Sequence, residues 1–339
     1  MRWYFESIRR WRMRFNLSSF LQMRFNFYLI RKLGWDLAYV YIYLLGKLYF
    51  FFKRKERRLI ENSIAVVFSQ FKDKSEIKSL SKAVLEGIFS HYYEKIFNAF
   101  SPAKKLRSFF ETHMKSSGLK ALDDALQKGK GVLLITGHIG GVEYIPPYLG
   151  SINYPATIVV RFSSQHLRSM SYVQAEHFGV KIIDVDSTPN IMKAISEHLK
   201  ENRIVIMQCD EIDEWRFSRK DKIFFLGKET YLDRTINIMS KRMAAPIVFG
   251  VMHRESNHQY NFIATSWEEM AKRFERTVDT SIGAVVLKFI ERYILSYPDE
   301  WYQWKKYPNI ETVPSFNAAV NEVSNIPVFE PSLNQAYEF

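Results

Sequence analysis

Apolar and polar positions along this chain follow two different periods. Between residues 59 and 100, apolar side chains recur every three to four positions: Leu80, Val84, Leu85, Ile88 and Phe89, continued by Tyr92, Tyr93, Ile96 and Phe97. That spacing predicts helix, stopped at Ser101-Pro102. Residues 103–130 predict more helix, with Leu119, Leu122 and Leu126 along one face. From 131 to about 265 the pattern changes to short apolar runs separated by helical stretches. Strands are expected at 132–135, 157–161, 180–185, 203–209, 223–226, 246–252 and 261–265, and helices at 165–178, 190–201 and 234–243. Strand and helix in alternation require crossover connections. The expected fold is therefore α/β, a mostly parallel central sheet flanked by helices. An amphipathic helix at 276–297 and the aromatic stretch Trp301 to Tyr307 follow. From 308 on, the chain is rich in Asn, Pro, Ser and Glu and reads as a loose tail.

Charge changes the picture at one end. The chain carries +12, and residues 1–60 hold +11 of it, as 14 Lys and Arg against Glu6, Asp36 and Glu56. The protein is therefore a near-neutral globule with a basic, aromatic-rich N-terminus. Arg2, Arg9, Arg10, Arg12, Arg14 and Arg24 interleave with Trp3, Phe5, Trp11, Phe15 and Phe20. Residues 37–52 then hold one charge, Lys47, before the basic cluster at 53–58. That apolar run is shorter than the roughly 20 residues of a spanning helix. Cations and aromatics beside it suit a helix pair lying among lipid headgroups. A helical cap with a solvated basic face is a second reading and a nucleic-acid arm a third. No nucleic-acid fold motif accompanies the segment, so no nucleic-acid partner is expected. The division expected is 1–58 as membrane-associating helices, 59–307 as the α/β domain and 308–339 as tail. The single cysteine, Cys209, excludes an intramolecular disulfide and any multi-thiolate zinc site.

The candidate chemistry sits at the end of the strand 132–135. Gly137 breaks the apolar run, His138 follows, then Gly140-Gly141, and Glu143 precedes Pro146-Pro147. Of the eight histidines, only His138 has an acidic residue five positions on. A strand that ends in a turn exposes its histidine at the carboxyl edge of the sheet, where open α/β sheets bind ligands. The reading is a general base, His138, oriented and charged by Glu143. Arg161 and Asp210-Glu211 also fall at the C-terminal ends of expected strands, so a parallel sheet would gather them at one cleft. Base, acid partner, cation and second carboxylate suit acyl transfer. A strand-end ion pair for Arg161 and a turn cap for Asp210 are the alternative readings. Cys209 has no partner base nearby. There is no G-x-S-x-G elbow, Walker loop, G-x-G-x-x-G or H-E-x-x-H, and no metal or cofactor is expected.

Gly137-His138-Ile139-Gly140-Gly141-Val142-Glu143 resembles the H-x4-D/E block of the lysophospholipid acyltransferase superfamily. The wider pattern resembles its bacterial lipid A biosynthesis (late lauroyl/myristoyl) branch: Gly129-Lys130-Gly131, Arg161, Asp210-Glu211, Phe224-Phe225-Leu226-Gly227, and Pro298 with Trp301 and Trp304. The resemblance runs from about 25 to 307. It implies an enzyme at the cytoplasmic face of the inner membrane, peripheral or monotopic. Such an enzyme moves a fatty acyl chain from an acyl carrier protein or coenzyme A thioester to a hydroxyl of a glycolipid, such as a lipid A precursor. By position, His138 and Glu143 would be the catalytic dyad, and Gly140, Arg161, Asp210 and Glu211 would serve substrate binding. The sequence departs from the family at Gly141-Val142, where Asn-Trp is usual, at Glu211, where glutamine is usual, and at the inserted Leu226. These departures leave room for another amphiphilic acceptor, such as a mannosylated phosphoinositide, or for a lipid-binding relative without catalysis.

Overall fold

A computed structural model describes residues 28, 29, 32, 33 and 35–313, apart from 256–257 and 275–280. The basic segment before residue 28, the start of the helix expected at 276, and the tail beyond 313 lie outside the described residues.

Three helices lead into the sheet: α1 (Trp35–Phe52), α2 (Arg54–Phe68) and α3 (Lys74–Phe100). The stretch expected as one helical region is divided by a capping box. Asp73 accepts from the backbone N–H of Ser75 and Glu76, and Glu76 returns a bond to the Asp73 N–H at 2.8 Å. The boundary expected at 58 falls inside α2, and Ala38, Ile42, Tyr49 and Phe50 of α1 join the same buried cluster as the sheet. Among the described residues no helix is long and apolar enough to cross a membrane.

The helix expected across 103–130 is interrupted. It divides into α4 (Ala103–His113), strand β1 (Met114–Ser117) and α5 (Lys120–Leu126). The sheet continues with β2 (Val132–Thr136), β3 (Ala156–Val160), β4 (Lys181–Asp184), β5 (Ile204–Gln208), β8 (Ile247–Arg254) and β9 (Tyr260–Ser266). Between them run α6 (Ile145–Ser151), α7 (Gln165–His177), α8 (Ile191–Lys200) and α9 (Thr235–Met243), and α10 (Trp267–Lys272) and α11 (Ile282–Ser296) follow β9. The seven strands lie in the order β1-β9-β8-β2-β5-β3-β4. All neighbours pair parallel except β8 and β9, which form an antiparallel hairpin.

The expected α/β class holds, with this one antiparallel pair. β2 is central, between β8 and β5, and all five of its residues are buried, as its unbroken apolar run requires. A separate two-stranded ribbon, β6 (Phe217–Phe225) with β7 (Lys228–Asp233), replaces the single short strand expected at 223–226. The first residues of the expected tail are not loose. Ile310 and Val313 are buried, and Thr312 bridges Thr230 of β7.

Candidate active site

The register of the sheet brings the site together. Thr136 at the end of β2 pairs with Gln208 at the end of β5, and the Cys209 N–H donates to the Thr136 carbonyl at 3.0 Å. His138 and Asp210 each follow two residues beyond that pair, so they leave the sheet side by side. His138 Nδ1 lies 2.7 Å from Asp210 Oδ1, and the His138 backbone N–H donates to Oδ2 at 2.8 Å. Trp301 Nε1 donates to the same Oδ2 at 2.8 Å. Asp210 is fully buried and His138 is 7 % exposed.

Burial opposes the Asp210 charge. Its interactions with the His138 ring, the His138 N–H and Trp301 outweigh that penalty, and the carboxyl is held below its ordinary pKa. An ionised carboxylate only accepts. Nδ1 therefore carries a proton, and Nε2 is the ring nitrogen left on the cleft side to exchange a proton with a substrate.

Nε2 faces the cleft and meets Glu211 Oε2 at 3.3 Å. Glu211 is itself held by Lys306 and by Gln303 Nε2 at 3.3 Å. Tyr302 stands roughly perpendicular to the His138 ring at 5.0 Å, and His91 stacks on Tyr302 at 3.4 Å. A single wall thus supports the imidazole, contributed by the 3₁₀ turns after α11, at Pro298–Glu300 and Tyr302–Asn309. Backbone pairing ties this wall to the histidine turn. Tyr302 N–H donates to the His138 carbonyl at 3.3 Å, and Gly140 N–H donates to the Glu300 carbonyl at 3.0 Å.

Glu143, expected to orient the ring, does something else. It is carried on a short 3₁₀ turn, Val142–Tyr144, whose direction is set by Gly140 in the left-handed region (φ +59°). That path turns the carboxylate toward α3. There it pairs with Lys95 at 3.2 Å and approaches His91 Nε2 at 3.9 Å. Burial disfavours the Lys95 ammonium, but Glu143 outweighs it and raises the Lys95 pKa. His138 and Glu143 line the same cleft without touching each other. The carboxylate on the ring is Asp210, the residue expected in the substrate-binding set.

The remaining expected residues fall as follows. Arg161 reaches the cleft rim but is engaged with Asp186 at 3.0 Å and with Glu214. Gly140 contributes no open surface, because a Cβ there would stand 2.1 Å from the Met252 carbonyl. Gly140→Ala should therefore destabilise the fold by at least about 1–3 kcal/mol, seen as a lower denaturant midpoint. Cys209 is buried and its thiol pKa is pushed up by burial, so it stays protonated.

Sequence reasoning missed Lys95, His91, Trp301, Tyr302, Gln303 and Lys306 as members of the site. The aromatic run 301–307 was visible, but nothing in it points 91 positions back to Asp210. Among the described residues no group of three or more His, Cys, Asp or Glu is arranged to hold a metal ion.

The cleft encloses about 650 Å³, within the 300–1,000 Å³ of ordinary ligand pockets. Its walls are largely apolar, including Val142, Pro146, Ile158, Leu167, Ile191 and Met192, and His138 lines it as well. An imidazole anchored through Nδ1 in the wall of a largely apolar cleft can take the proton of a hydroxyl beside a long alkyl substituent.

A second polar cluster lies behind the site. Arg254 makes two parallel bonds to the buried Glu94, at 2.6 and 2.9 Å, and donates to the Gly140 carbonyl at 2.8 Å. Tyr260 adds a bond to Glu94 at 3.0 Å. Burial opposes the guanidinium charge, yet Glu94 and Glu300 overcome it and raise the Arg254 pKa. This cluster fixes the turn that carries His138.

No curated protein matches the chain. Across residues 14–306, however, the sequence matches the family model described as bacterial lipid A biosynthesis acyltransferase, which spans the histidine turn, the strand leading to Asp210 and the wall at 298–306, and the chain belongs to that family of acyltransferases.

Proposed function

We propose that the protein transfers a fatty acyl chain from a thioester, carried by acyl carrier protein or coenzyme A, to a hydroxyl of a glycolipid of the lipid A type. The observation that carries this reading is the buried His138–Asp210 pair, with Nε2 on the cleft side beside Glu211. Nε2 takes the proton of the acceptor hydroxyl, and the alkoxide oxygen attacks the thioester carbonyl. Asp210 offsets the positive charge that the ring then gains, and Glu211 meets the new Nε2–H from the cleft side. Collapse of the tetrahedral intermediate breaks the C–S bond, and the departing thiolate takes the proton back from Nε2. Atoms and charge balance with no covalent enzyme intermediate. Glu143, paired with Lys95, shapes the charge of the cleft wall rather than the ring itself.

The test is direct. The purified protein in lipid vesicles is given an acyl thioester and a glycolipid acceptor, with His138→Ala as the control. Mass spectrometry should show one added acyl chain on the acceptor, matched by free thiol. Thiol release without acceptor gain would make the protein a thioesterase and remove this reading.

The reading includes a place at the membrane, at the cytoplasmic face of the inner membrane. Leu37, Val40, Leu44, Leu48 and Phe51 form an exposed stripe at three- and four-residue spacing along α1, with Phe52 at its end. Lys53, Arg54, Lys55, Arg57 and Arg58 follow at once. At 1.5 Å per residue the 18-residue helix is about 27 Å long. An apolar face edged by cations supports a helix lying in the headgroup layer. Leu44→Asp with Leu48→Asp should weaken co-sedimentation with anionic vesicles at least tenfold, since each buried leucine contributes about 1.5–3 kcal/mol. Unchanged sedimentation would remove the stripe from the contact.

A further inference from the structure

Arg161, the cation that the family resemblance offers for substrate binding, is already paired with Asp186 and Glu214. An uncompensated cation of the cleft lining lies at the base of the β6–β7 ribbon, with a second beside it in the chain's path. Arg216 lines the cleft. Arg234 stands opposite it, one step beyond the Phe217–Asp233 pair, and its backbone N–H donates to the Arg216 carbonyl at 3.1 Å. Both side chains are exposed, and neither guanidinium has an ion pair or hydrogen bond among the described residues.

The nearest carboxylate in sequence, Asp233, is committed elsewhere. Its Oδ1 accepts from the Arg216 N–H at 2.9 Å, the Thr235 N–H at 3.2 Å and the Thr235 hydroxyl at 2.9 Å. Like charges opposite one another on a ribbon repel, a cost that a bound dianion removes. Guanidinium groups meet phosphate oxygens through paired, charge-assisted bonds. The first turn of α9 adds its positive end, and Thr235 and Ile236 line the same cleft.

We propose that Arg216 and Arg234 form a phosphoryl-binding subsite at the mouth of the cleft, one that recognises a phosphate ester of a substrate. The phosphate belongs either to the pantetheine arm of the thioester donor or to the glycolipid acceptor. This inference rests on the acyl-transfer reading above.

Arg216→Gln, Arg234→Gln and the double variant are assayed as full chains in vesicles, with KM for donor and acceptor measured separately. Each substrate is also offered in a form lacking its phosphate. The double variant should raise KM for one substrate roughly 10–100-fold and leave kcat within about twofold. The effect should vanish with the phosphate-free form of that substrate, and the substrate whose KM moves identifies the source. Arg219→Gln, which removes the same charge farther along the ribbon, should leave KM unchanged. Unchanged KM for both substrates, or an equal loss with phosphate-free substrates, overturns the subsite even if the wild type turns over normally. Calorimetric titration with pyrophosphate gives a readout independent of turnover. The wild type should bind at least about tenfold more tightly than the double variant, and equal binding by both overturns the proposal. Absence of acyl transfer by the wild type would strike the reaction assigned above and leave this binding comparison standing.

Discussion

Asp210→Asn is expected to lower the rate of acyl transfer by about 10²–10⁴, with little change in the fold. The reason is the wiring of its two oxygens. Oδ2 accepts from two fixed donors, the His138 N–H and Trp301 Nε1, while Oδ1 accepts from His138 Nδ1. An asparagine must turn its carbonyl oxygen toward the two fixed donors. Its NH₂ then faces Nδ1, and Nδ1 must accept. The ring proton moves to Nε2, and the base is lost while the geometry survives. Glu143→Gln removes no partner of the ring and should cost less than about tenfold in kcat. If instead Glu143→Gln is the more damaging change, Asp210 is not the orienting acid. His138→Ala should cost as much as Asp210→Asn, and the double variant little more than either, because the two residues act as a unit.

The same substitution carries a stability signature. The Asp210 pKa is lowered in the folded state, so its contribution is present above the ordinary carboxylate value of about 4 and is lost as pH falls through its lowered value. The wild type should therefore lose stability more steeply than Asp210→Asn below about pH 4, as denaturant midpoints across pH would show.

Arg254→Met is expected to destabilise the protein by about 3–5 kcal/mol. Removing the guanidinium leaves the Glu94 carboxylate at 0 % exposure with only the Tyr260 hydroxyl for company. It also takes a donor from the Gly140 carbonyl, so the histidine turn loosens as well. The double change Glu94→Met with Arg254→Met removes both charges and should recover much of the loss, because two charges absent together leave no unpaired ion. Chemical denaturation of the three variants decides it. A double variant no more stable than Arg254→Met would mean that the cluster acts through shape rather than charge.

The sequence reading put His138 just beyond the strand 132–135, where the structure has it, and did not foresee which groups meet the ring. The apolar run before Gly137, the glycines after it and the strand ends at Arg161 and Asp210 are local features, and local pattern is enough to put His138 at the carboxyl edge of a parallel sheet. Which carboxylate meets the ring is a different kind of fact. Glu143 is five residues away in the chain, but the left-handed turn at Gly140 sends it to Lys95. Asp210 is 72 residues away, yet strand register delivers it to Nδ1.

Alone, the chain's hydrophobic periodicity determined the α/β class, the buried central strand and the histidine turn, because burial on a strand or a helix face is a property of near neighbours. Only the tertiary structure decided the pairing of β2 with β5, the wall from Trp301 to Lys306 behind the imidazole, the engagement of Arg161 by Asp186 and Glu214, and the uncompensated pair Arg216 and Arg234. Those depend on which distant segments share an edge, and strand order is set by packing of the whole domain rather than by any stretch of it.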